Sequence, residues 1–256
     1  VTMEIKDAAG NVVRKFSSKS EDDKKVEGRR SAKNPKLSSN KGLNRFVWDM
    51  RYPSIPSIPG VFIESSFRGH KAIPGNYTIT VKAGAQSTTT TASILANPLY
   101  KVGVNDYKEF DALMKQMEGE VITMHTMILD LYDSKNQLEA VLKNLPSEDK
   151  YAAVKAKGDS VVKLLKAWDE DMVQRKSTAY DDVENFPNKF TANYMFMINQ
   201  NESDIPRVNQ PVLDLLKEYT PIWEALKARG LDLQNNILPT LNKQFWEAGV
   251  GAVWVK

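Results

Sequence analysis

Cysteine is missing from all 256 residues. That excludes disulfide bonds, thiolate metal sites and a cysteine nucleophile, and it leaves the compartment open. Histidine is nearly missing too, being confined to His70 and His125. There is no H-E-x-x-H pair and no second histidine one helical turn from the first, so a histidine-built zinc centre has nothing to draw on. The chain also lacks a G-x-S-x-G elbow, a phosphate-binding loop and a G-x-G-x-x-G turn. No run of 18 apolar residues occurs, so no segment reads as a membrane-spanning helix. Residues 1–16 alternate apolar and polar instead of forming the apolar stretch of a signal peptide. The opening VTMEIKD is strand-like from its first residue, and the chain reads as a mature fragment of something longer.

What is present, 41% hydrophobic and 26% charged residues, is the composition of a folded globular chain. The net charge of +3 is unevenly spread. Residues 1–100 hold 16 basic and 8 acidic side chains; the remainder holds 19 and 24. Much of the basic excess lies in 17–41, a polar loop without aromatics. It lacks the stacking groups of a single-strand nucleic-acid binder, so a solvated loop is the expectation and no nucleic-acid partner is assigned.

The hydrophobic period changes near residue 100. Before it, the pattern is β. MEIKD, a turn at AAGN and then VVRKF predict a hairpin. LNRFVWDMRY predicts the next strand, PSIPSIPG is too proline-rich to pair centrally, and VFIESSF reads as a short edge strand. IPGNYTITVKAG and the β-branched QSTTTTASILA predict two more strands. Six or so short strands in about 95 residues suggest a small β-sandwich. After it, the pattern is α. Phe110, Leu113, Met117, Val121, Met124, Ile128 and Leu131 begin a stripe at spacings of three and four. The stripe predicts a helix of about 38 residues, roughly 57 Å long, with Asn105 or Asp106 at its start. Tyr151, Val154, Val161, Leu165, Trp168 and Met172 predict an antiparallel partner after a short link. A third helix is expected near 188–201, and Pro221 and Pro239 each kink or start a helix further on. The expected architecture is α+β and multidomain: a β-sandwich in 1–95, a linker in 96–105, and a four- or five-helix up-down bundle in 106–256.

Candidate sites are few. His125 sits on the shoulder of the long stripe and reads as a partly buried histidine with one hydrogen bond. His70, in the basic FRGHKAIPG, reads as a surface-loop residue. The acidic runs are Asp169–Asp171 and Asp181–Glu184. Asp181, Asp182 and Glu184 are the calcium candidates, but without D-x-D-x-D-G spacing a solvated loop is favoured. Trp168, Tyr180, Phe186, Tyr194, Phe196 and Trp223 would make a sugar-stacking groove if gathered; helical spacing favours core instead. Met114, Met117, Met124 and Met127 fit a helix interface. NYT at 76 and NES at 201 match the glycosylation sequon at a frequency expected by chance. Trp48 reads as a core anchor, Asn44 and Asp49 as turn formers, and Gly10 and Gly75 as turn glycines. No catalytic, cofactor-binding or metal residue is assigned.

Three motifs stand in order: IKDAAGNVVR (5–14), GLNRFVWD (42–49) and IPGNYTITV (73–81). Together they resemble the Ig-like module of the flagellar hook-capping protein. More closely, they resemble the C-terminal region of large exported bacterial proteins with sortilin-like or BNR-repeat β-propellers, often labelled glycosyl-hydrolase-like. The resemblance covers the β half in detail and the helical half by order alone. It implies an Ig-like sandwich, an upstream propeller of the same chain as partner, and a periplasmic, cell-surface or secreted location. It carries no catalytic residue over, because no Asp-box or propeller repeat occurs in this chain. The expectation is a non-catalytic structural or interaction module. The alternatives are a free-standing interaction or adhesion protein pairing through its helical hairpin, and a glycoside hydrolase or peptidase fragment with its site in 169–196.

Overall fold

A computed structural model describes residues 1–19, 35–202 and 205–253. Most of the polar stretch 17–41, and the serine of the NES sequon, lie outside these. The chain is α+β: four antiparallel strands at the N-terminus, then five helices of ten residues or more among the described residues.

The strands are β1 (Thr2–Lys6), β2 (Val12–Ser17), β3 (Gly75–Ala83) and β4 (Gln86–Ile94), in the order β2-β1-β3-β4. Gly10, at φ +86°, supplies the left-handed residue of the β1–β2 turn. Asp7 fixes that turn by accepting the backbone N–H groups of Ala9 and Asn11. Gly75 has φ +159° and opens β3 in near-extended backbone instead of sitting in a turn. Ile5, Val13, Phe16, Leu37, Ala72 and Tyr77 form a small core, with Phe46, Trp48 and Tyr52 packed against it.

Residues 43–52, expected as a strand, form none. Their one ladder contact among the described residues is an isolated bridge between Arg51 and Lys71. Met50 stands at φ +57°, which ends any extended run. Pro53, Pro56 and Pro59 follow and cannot donate to a ladder. Residues 61–67 form no strand either. Where a sandwich would have its second layer, this region has an irregular strap.

The helices are α1 (Val104–Lys143), α2 (Ala152–Met172), the single turn α3 (Asp182–Asn185), α4 (Phe190–Glu202), α5 (Gln210–Asp232) and α6 (Leu238–Glu247). Asp106 closes the start of α1 by accepting the Gly103 N–H at 2.8 Å, half of a capping box. A 3₁₀ turn at Asp149–Tyr151 leads into α2. Pro221 lies inside α5, which continues through it, and Pro239 lies in the first turn of α6. A π turn, Leu233–Ile237, joins α5 to α6.

Two compact units divide the chain. One is Val1–Pro59, Ser65–Glu120 and Met197–Val212; the other is Gly60–Glu64, Val121–Phe196 and Leu213–Lys256. The boundary does not follow the change of hydrophobic period at 96–105. The first turns of α1 belong with the sheet, because Tyr107, Phe110, Met114 and Met117 are buried on the side that also carries the polar groups described next. The second unit has an apolar core that includes Leu131, Leu138, Leu165, Trp168, Leu238 and Phe245. The Trp168 indole donates to the Leu226 carbonyl at 2.7 Å. Gly230 lets α5 approach, since a Cβ there would lie 2.3 Å from the Met127 methyl and 3.1 Å from the Trp168 ring.

Candidate functional site: a buried histidine between two carboxylates

The first unit contains a dense cluster of ionisable groups, with His70 and Glu118 buried, Asp111 partly buried and Lys115 exposed. Asp111, Lys115 and Glu118 fall at i, i+4 and i+7 on α1, so all three share a face. Facing them is the strap. Residues 50–52 run beside 70–72, joined by Tyr52 N–H to His70 C=O at 3.0 Å and Ala72 N–H to Met50 C=O at 2.7 Å. Gly69 makes this possible: a Cβ there would lie 2.4 Å from the Pro53 carbonyl oxygen and 2.6 Å from that of Tyr52.

This geometry drives His70 inward until its side chain is fully buried. Glu118 grips it twice, through the backbone N–H at 2.7 Å and the ring Nδ1 at 2.9 Å. On the other side of the ring, Nε2 meets Asp111 Oδ1 at 3.1 Å. The second oxygen of Asp111 takes the Lys115 ammonium at 2.6 Å. Tyr52 stacks on the imidazole at 4.3 Å, and Lys115 lies 4.8 Å from the Tyr52 ring centroid. The strap is tied elsewhere as well. Arg51 donates to the Gly69 carbonyl at 2.8 Å and to Glu202 at 2.5 Å; Arg14 donates to the Tyr52 carbonyl.

The electrostatics follow from the contacts. Burial opposes a charge on His70, but hydrogen bonds to Asp111 and Glu118 outweigh it, and the pKa rises above the usual imidazole value. Burial likewise works against ionised Asp111, yet His70 and Lys115 hold its carboxyl below the ordinary range. Lys115 moves upward despite burial, through Asp111 and Tyr52. Burial is the main cause of the raised Tyr52 phenol. With a carboxylate oxygen at each ring nitrogen, the cationic ring donates twice, whereas a neutral ring would turn a lone pair toward a carboxylate.

Such a histidine is poorly placed for proton transfer to a substrate, since both nitrogens are engaged and the ring is closed to solvent. Two cavities of about 540 and 400 Å³ lie elsewhere, in the second unit, and contain none of these residues. The cluster is an ionic fastener holding the strap to α1.

The reading of His70 as a surface-loop residue is therefore corrected. The available signal was the acid–base–acid triplet of α1, with Glu118 beside the buried Met117. Nothing in the sequence pointed from that triplet to residue 70. His125 is buried in the second unit and its Nε2 lies 2.8 Å from Thr191 Oγ1.

The remaining expected residues have structural work of their own. Trp48 is partly buried; its indole donates to the Arg51 carbonyl at 3.1 Å and its ring meets the edge of Tyr77 at 5.8 Å. Asn44 donates to the carbonyls of Asn40 and Gly42. Asp49 accepts from the Arg51 N–H and from the Arg68 guanidinium. Asp169 takes Arg175 in a fork of two 2.6 Å bonds, and Asp171 takes Arg229 at 2.8 Å. One oxygen of Asp182 accepts the N–H groups of Thr178 and Ala179 and the Thr178 hydroxyl, while Asp181 and Glu184 are exposed. Among the described residues, no three His, Asp or Glu side chains are grouped to hold a metal. The aromatics do not converge on a groove: Trp168, Tyr194 and Trp223 are core, whereas Tyr180 and Phe196 are exposed. No described helix is long and apolar enough to cross a membrane.

The chain matches no protein-family model, no curated protein and no solved structure.

Proposed function

We propose that this chain is a non-catalytic structural and interaction module of a larger exported bacterial β-propeller protein. The observation that carries the reading is the fastener around the buried His70. Asp111, Lys115 and Glu118 are engaged with His70 or with one another, and His70 is held on both nitrogens. A histidine so committed serves to fix a segment, whereas a catalytic histidine needs a ring nitrogen open to a substrate.

The ordered motifs at 5–14, 42–49 and 73–81 support the family. On this reading, residues 1–95 are an Ig-like module. Its inner layer is the sheet, built around Ile5, Val13, Phe16 and Tyr77, and Phe46 and Trp48 cover it from the strap. Residues 106–256 form an up-down helical bundle. The partner is the upstream propeller of the same polypeptide, and the location is periplasmic, cell-surface or secreted.

The test has two arms. The coding sequence upstream of residue 1 should encode propeller repeats, and that segment, expressed separately, should co-purify with this chain. Upstream sequence without such repeats would sink the family reading. Turnover of glycosides or peptides by the purified chain, abolished by a substitution within 169–196, would replace it with a hydrolase.

A further inference from the structure

β4 is an edge strand, and among the described residues nothing pairs with its outer side. It pairs with β3 over nine positions without a register break, and Gln86 to Ser93 are exposed. Natural edges are blunted by charged side chains, proline, bulges or a cover. The opposite edge, β2, has such devices. It carries Arg14 and Lys15, its pairing with β1 shifts between Ile5 and Lys6, and the Leu37 N–H bonds the Ser17 carbonyl. β4 reads QSTTTTASI, with no charge, no proline and no bulge.

The hairpin fixes which groups face outward. Ala83 pairs with Gln86 around the two-residue loop Gly84–Ala85, and Gly84 has φ +60°. A two-residue loop with glycine first is a type II′ turn, which closes on a hydrogen-bonded pair. Counting from that pair, residues 86, 88, 90, 92 and 94 direct their backbone groups at β3. Ser87, Thr89, Thr91 and Ser93 direct theirs at solvent, because bonded and non-bonded pairs alternate.

We propose that this edge is a self-association surface, on which a second copy of the chain adds its own β4, antiparallel and centred on Thr90. This register places Ser87 opposite Ser93 and Thr89 opposite Thr91, so outward groups meet outward groups. About eight main-chain hydrogen bonds result, two for each such pair. A slip by one residue sets outward groups against groups already used by β3 and forms none. The strand is also compatible with its own reversal. It has no charge to repel its image, and threonine faces threonine, as in the existing bond of 3.1 Å between the Thr80 and Thr89 hydroxyls. Leu95, 83% exposed, falls opposite Ala85 of the second copy and is covered.

The absence of cysteine makes the test direct. Thr90→Cys places a lone thiol at the two-fold axis. In a non-hydrogen-bonded antiparallel pair the Cα atoms are about 4.5 Å apart, inside the disulfide range of about 4.4–6.8 Å. Under mild oxidation the Thr90→Cys chain should give a covalent dimer, while Gln86→Cys, which would face Ile94, stays monomeric. In sedimentation equilibrium, the average mass of the unsubstituted chain should rise with concentration toward twice that of one chain. Thr91→Pro removes an outward N–H and spares the β3–β4 ladder; it should abolish the rise with the circular dichroism unchanged. Thr89→Lys/Thr91→Lys sets like charges across the axis and should do the same if proline disturbs the hairpin. A chain that stays monomeric at about 1 mM, near the weak end of specific association, overturns the proposal. Equal cross-linking of Thr90→Cys and Gln86→Cys also overturns it, as does a dimer that survives the paired lysines.

Discussion

The two compact units solve the same problem with different materials. The second buries leucine, methionine and aromatic side chains along helices, and its largest buried residue, Trp168, needs one hydrogen bond to be satisfied. The first has a small apolar core under a four-stranded sheet and adds a buried histidine, two carboxylates and a lysine. Apolar burial is non-directional and stabilises over a wide pH range. An ionic cluster fixes one arrangement of its parts, but its strength depends on every partner being present and correctly charged.

The contrast is open to measurement. In the second unit, Trp168→Ala removes a fully buried side chain and should cost about 3–5 kcal/mol by denaturant titration, with little change between pH 6 and pH 9. In the first, His70→Ala leaves two carboxylates facing each other inside the protein and should cost about 3 kcal/mol. Here pH matters, and its sign is fixed. The folded-state pKa of His70 is raised, so its stabilisation is complete below the unfolded value of about 6.5 and is lost as pH rises through the folded value. Stability of the first unit should fall on the alkaline side, and His70→Gln should flatten that limb. A limb unchanged in His70→Gln would remove the fastener from the account. Asp111 gives the opposite limb: its pKa is lowered, so its contribution is lost as pH falls through the folded value.

Trp48 should show a smaller effect than Trp168. It is only partly buried and has one edge contact with Tyr77. Trp48→Ala should cost roughly 1.5–3 kcal/mol, read as a loss in the sheet with helical circular dichroism retained. A cost equal to that of Trp168→Ala would mean the sheet relies on one anchor after all. The smallest expected effect is that of calcium. Asp182 already accepts three hydrogen bonds from its own turn, so millimolar calcium should leave the melting temperature unchanged. A saturating rise that vanishes in Asp181→Asn would establish a site there.

How legible each feature was depended on its range. The helices were readable, because Phe110 to Leu131 repeat at three and four, and that period is a local property of helix geometry. The hairpin of β1 and β2 and the strands β3 and β4 were readable for the same reason. The strap defeats a local reading: LNRFVWDMRY has strand-like composition, but Met50 and the three prolines that follow the stretch break the backbone, and composition does not reveal a left-handed residue. The burial of His70 is not legible locally, because it depends on Asp111 and Glu118, more than 40 positions away. A contact of that separation leaves no trace in a local pattern. Its only local sign is Gly69, required because two carbonyls crowd the missing side chain.

The π turn between α5 and α6 has a history written into its spacing. Buried positions along this stretch are 223, 226, 230 and 233, then 238, 241 and 245. The steps alternate three and four except for the five from Leu233 to Leu238, where the backbone widens to the π form. Take away one residue and the alternation becomes unbroken. The turn thus has the form of a one-residue insertion, absorbed locally so that Leu238, Leu241 and Phe245 still face inward. Deleting the exposed Asn235 should therefore restore the alternation of buried positions, with Pro239, which has no N–H to give, as the one interruption of the helical ladder there. The same deletion in the middle of α2 would rotate all that follows by about 100° and turn Leu165 and Trp168 away from their core. One stretch of this chain thus carries a spare residue in its buried spacing, and it lies inside a helix instead of in a loop.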